Sequence, residues 1–217
     1  MADRRRVSLW VPGLLAIMAG LLLAGIWVSQ QQEDGSSSWG RAPAEVQAVM
    51  WPEPNPLPDF TLQDQHGRTV GRELFTGQWS FVFFGYLGCP DVCPLSLQAM
   101  AGMRAQLIEA GAKDSDFRFV FVSVDPDNDR PEQIREYLAW HDGDFVGLLG
   151  EPEELDRLAR SMAVKYVEFV SESGYRSIDH TSSVMIVDPR GRVVGALSAP
   201  LTPNRMVEQF QRLRAWL

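Results

Sequence analysis

Ser80-Phe81-Val82-Phe83-Phe84-Gly85-Tyr86-Leu87-Gly88-Cys89-Pro90-Asp91-Val92-Cys93-Pro94 runs from an apolar stretch, through a short polar turn, into a Cys-x-x-x-Cys pair. The residues from Ser80 to Tyr86 show no polar alternation, as expected of a strand buried on both faces. After Cys93, the apolar residues Leu97, Met100, Ala101, Met103, Leu107 and Ile108 recur at helical spacing, and Gly111 is placed to cap the helix. Cys89 and Cys93 are the only cysteines in the 217 residues. They stand at a junction of strand and helix, at the carboxyl end of a buried strand, where open α/β sheets usually present their ligands.

Upstream, Asp59-Phe60-Thr61-Leu62 and Thr69-Val70 flank the turn Gln65-His66-Gly67-Arg68 and read as a small hairpin. Downstream, Phe117 to Val124 is a second buried strand, closed by Asp125-Pro126. Pro131 opens a helix with Ile134, Tyr137, Leu138 and His141 on one face. Phe145 to Leu149 is a short strand, and Glu151 to Met162 is a helix whose acidic start suits the helix dipole. Val164 to Val170 and Tyr175 to His180 read as strands joined at Ser173-Gly174. Val184 to Val187 and Val193-Val194-Gly195 form a hairpin about Asp188-Pro189-Arg190-Gly191, and Met206 to Leu217 closes the chain with a helix. Hairpin, βαβαβα, then hairpin and helix is the thioredoxin-like plan: an α/β fold with a mixed central sheet flanked by helices.

The amino end suggests where this domain works. Arg4, Arg5 and Arg6 precede an uncharged run from Val7 to about Val28. Roughly 20 such residues span the ~30 Å hydrocarbon core. The arginines belong on the cytoplasmic side, and Trp10 and Trp27 suit the two interfaces. The run is longer than the h-region of a signal peptide, Gly25-Ile26-Trp27-Val28 is a poor cleavage site, and no cysteine follows that would take a lipid. The expected division is a basic cytoplasmic end with a transmembrane anchor over 1–28, a flexible and then proline-rich linker over 29–56, and one domain over 57–217. That domain is expected in the periplasm, outside a bacterial-type inner membrane, or in the mitochondrial intermembrane space. A net charge of −8 argues against nucleic acid as a partner.

As a structural disulfide, Cys89–Cys93 would close so short a loop that it would hardly restrain the unfolded chain. Reactivity or ligation explains the pair better. A helix N-terminus favours thiolate, which is both nucleophile and metal ligand. Three residues separate the cysteines where the thioredoxin motif has two, so the sulfurs can splay around an ion. There are three histidines. His66 reads as a solvated turn residue and His141 as a protonated helix cap. His180 precedes the late hairpin and faces the cysteine loop in this layout. A generic thioredoxin-like oxidoreductase carries a cis-proline there, but His180 to Ser183 has no proline. Its absence weakens disulfide exchange and leaves room for imidazole. Two thiolates and an imidazole suit Cu(I), whereas zinc would want a fourth ligand, for which Asp91 is available.

Gly85 to Pro94, the segment Val122-Ser123-Val124-Asp125-Pro126-Asp127-Asn128-Asp129-Arg130-Pro131 and Asp179-His180-Thr181 closely resemble the signatures of the Sco/SenC copper-chaperone family. The resemblance covers about Leu57 to Leu217 and extends to a single amino-terminal anchor. Leu87-Gly88 departs from the polar residues often found before the first cysteine. The resemblance implies Cu(I) or Cu(II) on Cys89, Cys93 and His180. It also implies a task, assembly of the dinuclear copper centre in cytochrome c oxidase subunit II, with copper received from an upstream periplasmic donor. Such a metallochaperone is not an enzyme in the turnover sense. The alternative is a thiol–disulfide oxidoreductase that uses Cys89 and Cys93 to reduce its target's cysteines. Asp125, at the end of the strand beside the site, is expected either to support that site or a partner, or simply to form the turn before proline.

Overall fold

A computed structural model describes Met18, residues 38–174 and residues 176–217. Apart from Met18, the expected anchor lies outside the described residues, as do residues 29–37 of the expected linker and Tyr175. Among the described residues no helix is long and apolar enough to cross a membrane.

From the amino end the elements are α1 (Ser38–Arg41), α2 (Ala44–Gln47), β1 (Met50–Pro56), β2 (Leu62–Asp64), β3 (Thr69–Val70), β4 (Trp79–Gly85) and α3 (Val92–Glu109). Then come β5 (Phe117–Ser123), α4 (Pro131–His141), β6 (Val146–Leu149), α5 (Pro152–Ser161), β7 (Tyr166–Val170), β8 (Arg176–His180), β9 (Val184–Val187), β10 (Arg192–Leu197) and α6 (Pro203–Trp216). Eight strands form one sheet in the order β1-β10-β9-β4-β5-β6-β2-β3. Within it, β4, β5 and β6 are parallel, and β9 lies antiparallel against β4. Strands β7 and β8 pair only with each other, as a separate two-stranded ribbon.

The missing alternation in β4 has the cause its sequence suggested. Phe81 and Phe83 enter one core with Leu97, Met100, Ile134 and Phe210 from α3, α4 and α6. Val82 and Phe84 enter a second core, with Leu155, Leu158 and Ala159 of α5. Both faces of the strand are thus covered by helices, as a parallel strand requires. The expected mixed sheet flanked by helices is the observed one.

The linker expected over 29–56 is corrected in its second half. Strand β1 pairs antiparallel with β10, Met50 opposite Gly195 and Pro56 opposite Arg192. Ala42, Val46, Val49 and Met50 are buried in the core of the α6 face. Gly195 explains the close docking: a Cβ there would stand 2.2 Å from the Val49 carbonyl oxygen. The prolines of β1 had suggested an extended tether. An edge strand tolerates them, because one side of its backbone pairs with nothing in the sheet. The same extended backbone serves either role, and only the neighbour β10 decides between them.

Candidate metal centre

Strand β4 ends at Gly85, and three residues, Tyr86 to Gly88, carry the chain to Cys89. Helix α3 begins at Val92, so Cys93 lies in its first turn and points back under the strand end. Gly85 makes room for it. A Cβ at that position would lie 2.8 Å from Cys93 Sγ and 3.0 Å from the Phe121 ring. Cys93 is fully buried, and Cys89 is half-buried at the surface of both cores. Both are free thiols.

His180 ends β8 and reaches the same point from the other side. Its Nε2 is 3.4 Å from Cys93 Sγ. The Cys93 N–H donates to Cys89 Sγ at 3.4 Å. The two sulfurs and an imidazole nitrogen all lie within 4.8 Å of one another. His180 Nδ1 lies 3.1 Å from the Thr181 carbonyl oxygen, which can only accept. The ring proton therefore sits on Nδ1, and the Nε2 lone pair faces the sulfurs. Edge-on contacts with Phe83 and Tyr86 hold the ring, at centroid distances of 5.7 and 6.2 Å.

One electrostatic expectation is reversed. The helix N-terminus had predicted a thiolate, but burial pushes the Cys93 thiol pKa up, and the bond with Cys89 adds to the rise. Desolvation of a fully buried sulfur outweighs the partial charge of one helix end. Burial also lowers the His180 pKa and favours the neutral imidazole. Without metal, a Cys93 S–H facing the Nε2 lone pair satisfies both groups.

The other expected participants fall into place differently. Asp91 is exposed at the N-cap of α3, makes no side-chain capping bond and is not among the clustered ligand atoms. Asp91, expected to be available as a fourth ligand, is exposed to water while Cys93 turns inward. His66 sits in the β2–β3 turn, and only its backbone N–H is bonded to Asp64. His141 packs on Tyr137 at a centroid distance of 5.1 Å, and burial lowers its pKa, which disfavours the protonated cap expected of it. Neither histidine joins the cluster.

Asp125 is buried. It accepts two bonds from the Arg176 guanidinium, at 2.5 and 2.9 Å, and one from Asn128 at 2.8 Å. Burial alone would raise its pKa, but Arg176 and Asn128 outweigh that and hold it below the usual carboxylate range. Sequence reasoning missed Asp129 as a functional residue. Its Oδ2 accepts from Ser123 Oγ at 2.6 Å and from the Leu87 N–H at 3.2 Å, which pins the turn two residues before Cys89. The only signal for it was the recurrence of aspartate after a buried strand. Arg176 carried no signal at all.

The SCO1/SenC family profile matches residues 52–215. The chain belongs to the SCO1/SenC family. A putative copper-binding protein of Stutzerimonas stutzeri is 31% identical over 157 residues, which cover 72% of this chain and 76% of that protein. Among solved structures, copper-bound Arabidopsis thaliana ScoI superposes with a TM-score of 0.67 at 28% identity, covering 73% of this chain and 98% of that one. Copper-bound Bradyrhizobium japonicum ScoI gives a TM-score of 0.63 at 31% identity, covering 75% and 99%. The SCO1/SenC match spans both cysteines, Asp125, Arg176 and His180, and it begins inside β1, the strand that had read as linker.

Proposed function

We propose that this protein binds copper through Cys89, Cys93 and His180 and delivers it during cytochrome c oxidase assembly, to the dinuclear centre of subunit II. The observation that carries the proposal is the convergence of two thiols and one neutral imidazole within 4.8 Å. Such a soft, low-coordinate donor set suits Cu(I), which favours thiolate ligands. Membership of the SCO1/SenC family and the copper-bound relatives support it. The metal is cargo. Handover proceeds by ligand exchange: thiolates of the target first displace the partly exposed Cys89, His180 leaves, and buried Cys93 lets go last. A single-pass anchor over 1–28 would hold the domain on the periplasmic face, between an upstream donor and the oxidase.

Reduced protein titrated with Cu(I) against a competing chelator tests the binding. One copper per chain is expected, lost in Cys89→Ser and Cys93→Ser and weakened in His180→Ala. A stoichiometry well below one, or an affinity unmoved by His180→Ala, overturns the reading.

One observation favours a second role. Cys89 is partly exposed and Cys93 buried, the arrangement of an attacking and a resolving thiol. The Cys89 thiolate would attack a disulfide of the target, and Cys93 would then release the target reduced and leave a Cys89–Cys93 disulfide. This chemistry needs both cysteines and not the histidine. Full complementation of oxidase assembly by His180→Ala, with loss in either cysteine variant, decides for it.

A further inference from the structure

The third corner of the metal centre stands on a part of the molecule that the main sheet does not hold. His180 closes β8, and the β7–β8 ribbon has no ladder with the eight-stranded sheet. Near His180 the ribbon is tied by Tyr166 Oη, which donates to Asp156 at 2.5 Å, and by the Ile178 N–H, which donates to Tyr86 Oη at 3.3 Å. These bonds, with Ile178 in the second core, hold the ribbon near His180 and leave its other end to be fixed separately. Arg176 is that other end, four residues before His180, or ~13 Å along an extended strand.

We propose that Arg176 is a positioning residue of the metal centre: its guanidinium, forked onto Asp125, sets where His180 stands relative to Cys89 and Cys93. The inference rests on the copper-binding reading, which supplies the reason for His180 to be placed at all.

Three observations carry it. First, the fork is bidentate and partly desolvated, with the Asp125 side chain 4% and the Arg176 side chain 32% exposed. The planar guanidinium fixes direction as well as distance, which a lysine ammonium does not. Arg176 Nε also pairs with Glu168 on β7, so one side chain joins both strands of the ribbon to the body.

Second, Asp125 is itself held. Its N–H donates to Ser123 Oγ at 3.1 Å, Ser123 Oγ donates to Asp129 Oδ2, and the Leu87 N–H donates to the same oxygen. A continuous run of bonds thus links the strand of His180 to the turn that carries Cys89. Third, packing holds the ribbon only through Ile178 and Tyr166, which join the second core, while Val167, Phe169 and Val170 of β7 are exposed. A cavity of about 200 Å³ lies beneath it, lined by Val124, Asp125, Tyr166, Glu168, Arg176 and Ile178 among others.

The test uses the full chain with Arg176→Met, Arg176→Lys, His180→Ala and the double variant Arg176→Met/His180→Ala. The unloaded protein is read by the NMR resonances of the His180 ring. The loaded protein is read by titration with aqueous Cu(II), following the dissociation constant and the nitrogen coupling in EPR. Arg176→Met is expected to bind one copper but to lose about tenfold or more in Cu(II) affinity, with altered ring resonances and altered nitrogen coupling. The double variant should bind no more weakly than His180→Ala alone, because both changes remove one contribution. Arg176→Lys, with charge but no fork, should fall between, and it carries the test if Arg176→Met does not fold.

Unchanged ring resonances and coupling with an affinity within about twofold of the parent overturn the proposal, as does a loss fully additive with His180→Ala. A lowered melting temperature with an unaltered spectrum overturns it too, since that is mere structural support. If the parent chain binds no copper, the copper reading fails, and the ring resonances of the unloaded protein still decide whether the clamp places His180.

Discussion

Cys93 loses its water on folding and Cys89 keeps part of its own, so the two thiols of one motif are chemically unequal. Copper takes thiolates, and the buried Cys93 is held as a thiol with a raised pKa. Loading must therefore expel its proton, and affinity should rise with pH by about tenfold per unit for each proton released. Competitive titration between about pH 6 and 8 checks this, and a flat profile would show that Cys93 is already ionised.

Asp125 gives the opposite kind of dependence. Its folded pKa lies below the unfolded value of about 3.9, so its contribution to stability is complete above that value and fades as pH falls through the folded pKa. Asp125→Asn should flatten the acid limb of the melting curve between about pH 4 and 2. An unchanged limb means the Arg176 pair adds nothing to stability.

At the scale of elements, β1 forms one edge of the eight-stranded sheet and the ribbon stands outside it. Strand β1 is docked through Gly195, where even a methyl group meets the Val49 carbonyl. Gly195→Ala should cost about 1–3 kcal/mol of stability by forcing the strands apart. Hydrogen exchange should quicken in β1, while copper stoichiometry stays at one per chain. Equal melting temperatures for parent and variant would show that residues 50–56 are the loose linker their prolines suggested. The elements between β2 and α6 were legible, since periodicity of two and of 3.6 reports burial directly. The role of 38–56 was not, because the pattern of an edge strand and that of a proline-rich tether coincide.

For the whole molecule, copper would join three separate structural units: the β4–α3 turn, the first turn of α3 and the ribbon. Ligand bound only to the folded state stabilises by mass action, by about 2.7 kcal/mol at a hundredfold excess over the dissociation constant. For a domain of this size the melting temperature should rise by roughly 5–11 °C. The added protection from hydrogen exchange should concentrate in β7 and β8, which the main sheet does not hold. Protection spread evenly over the sheet, or a rise absent in Cys93→Ser and parent alike, would mean the metal does not bridge the ribbon to the body.

The amino-acid sequence by itself determined the strand-to-helix junction, the thiol pair placed on it, and the order of elements that brings His180 opposite. These follow from local regularities: apolar runs, helical spacing, turn residues and two cysteines close in the chain. Only the tertiary structure decided that Cys93 is a thiol rather than a thiolate, that Asp91 faces water, that β1 belongs to the sheet, and that Arg176 grips Asp125 across 51 residues. Desolvation and side-chain pairing depend on which distant segments meet. No local pattern in the chain encodes that meeting, and the folded core alone supplies it.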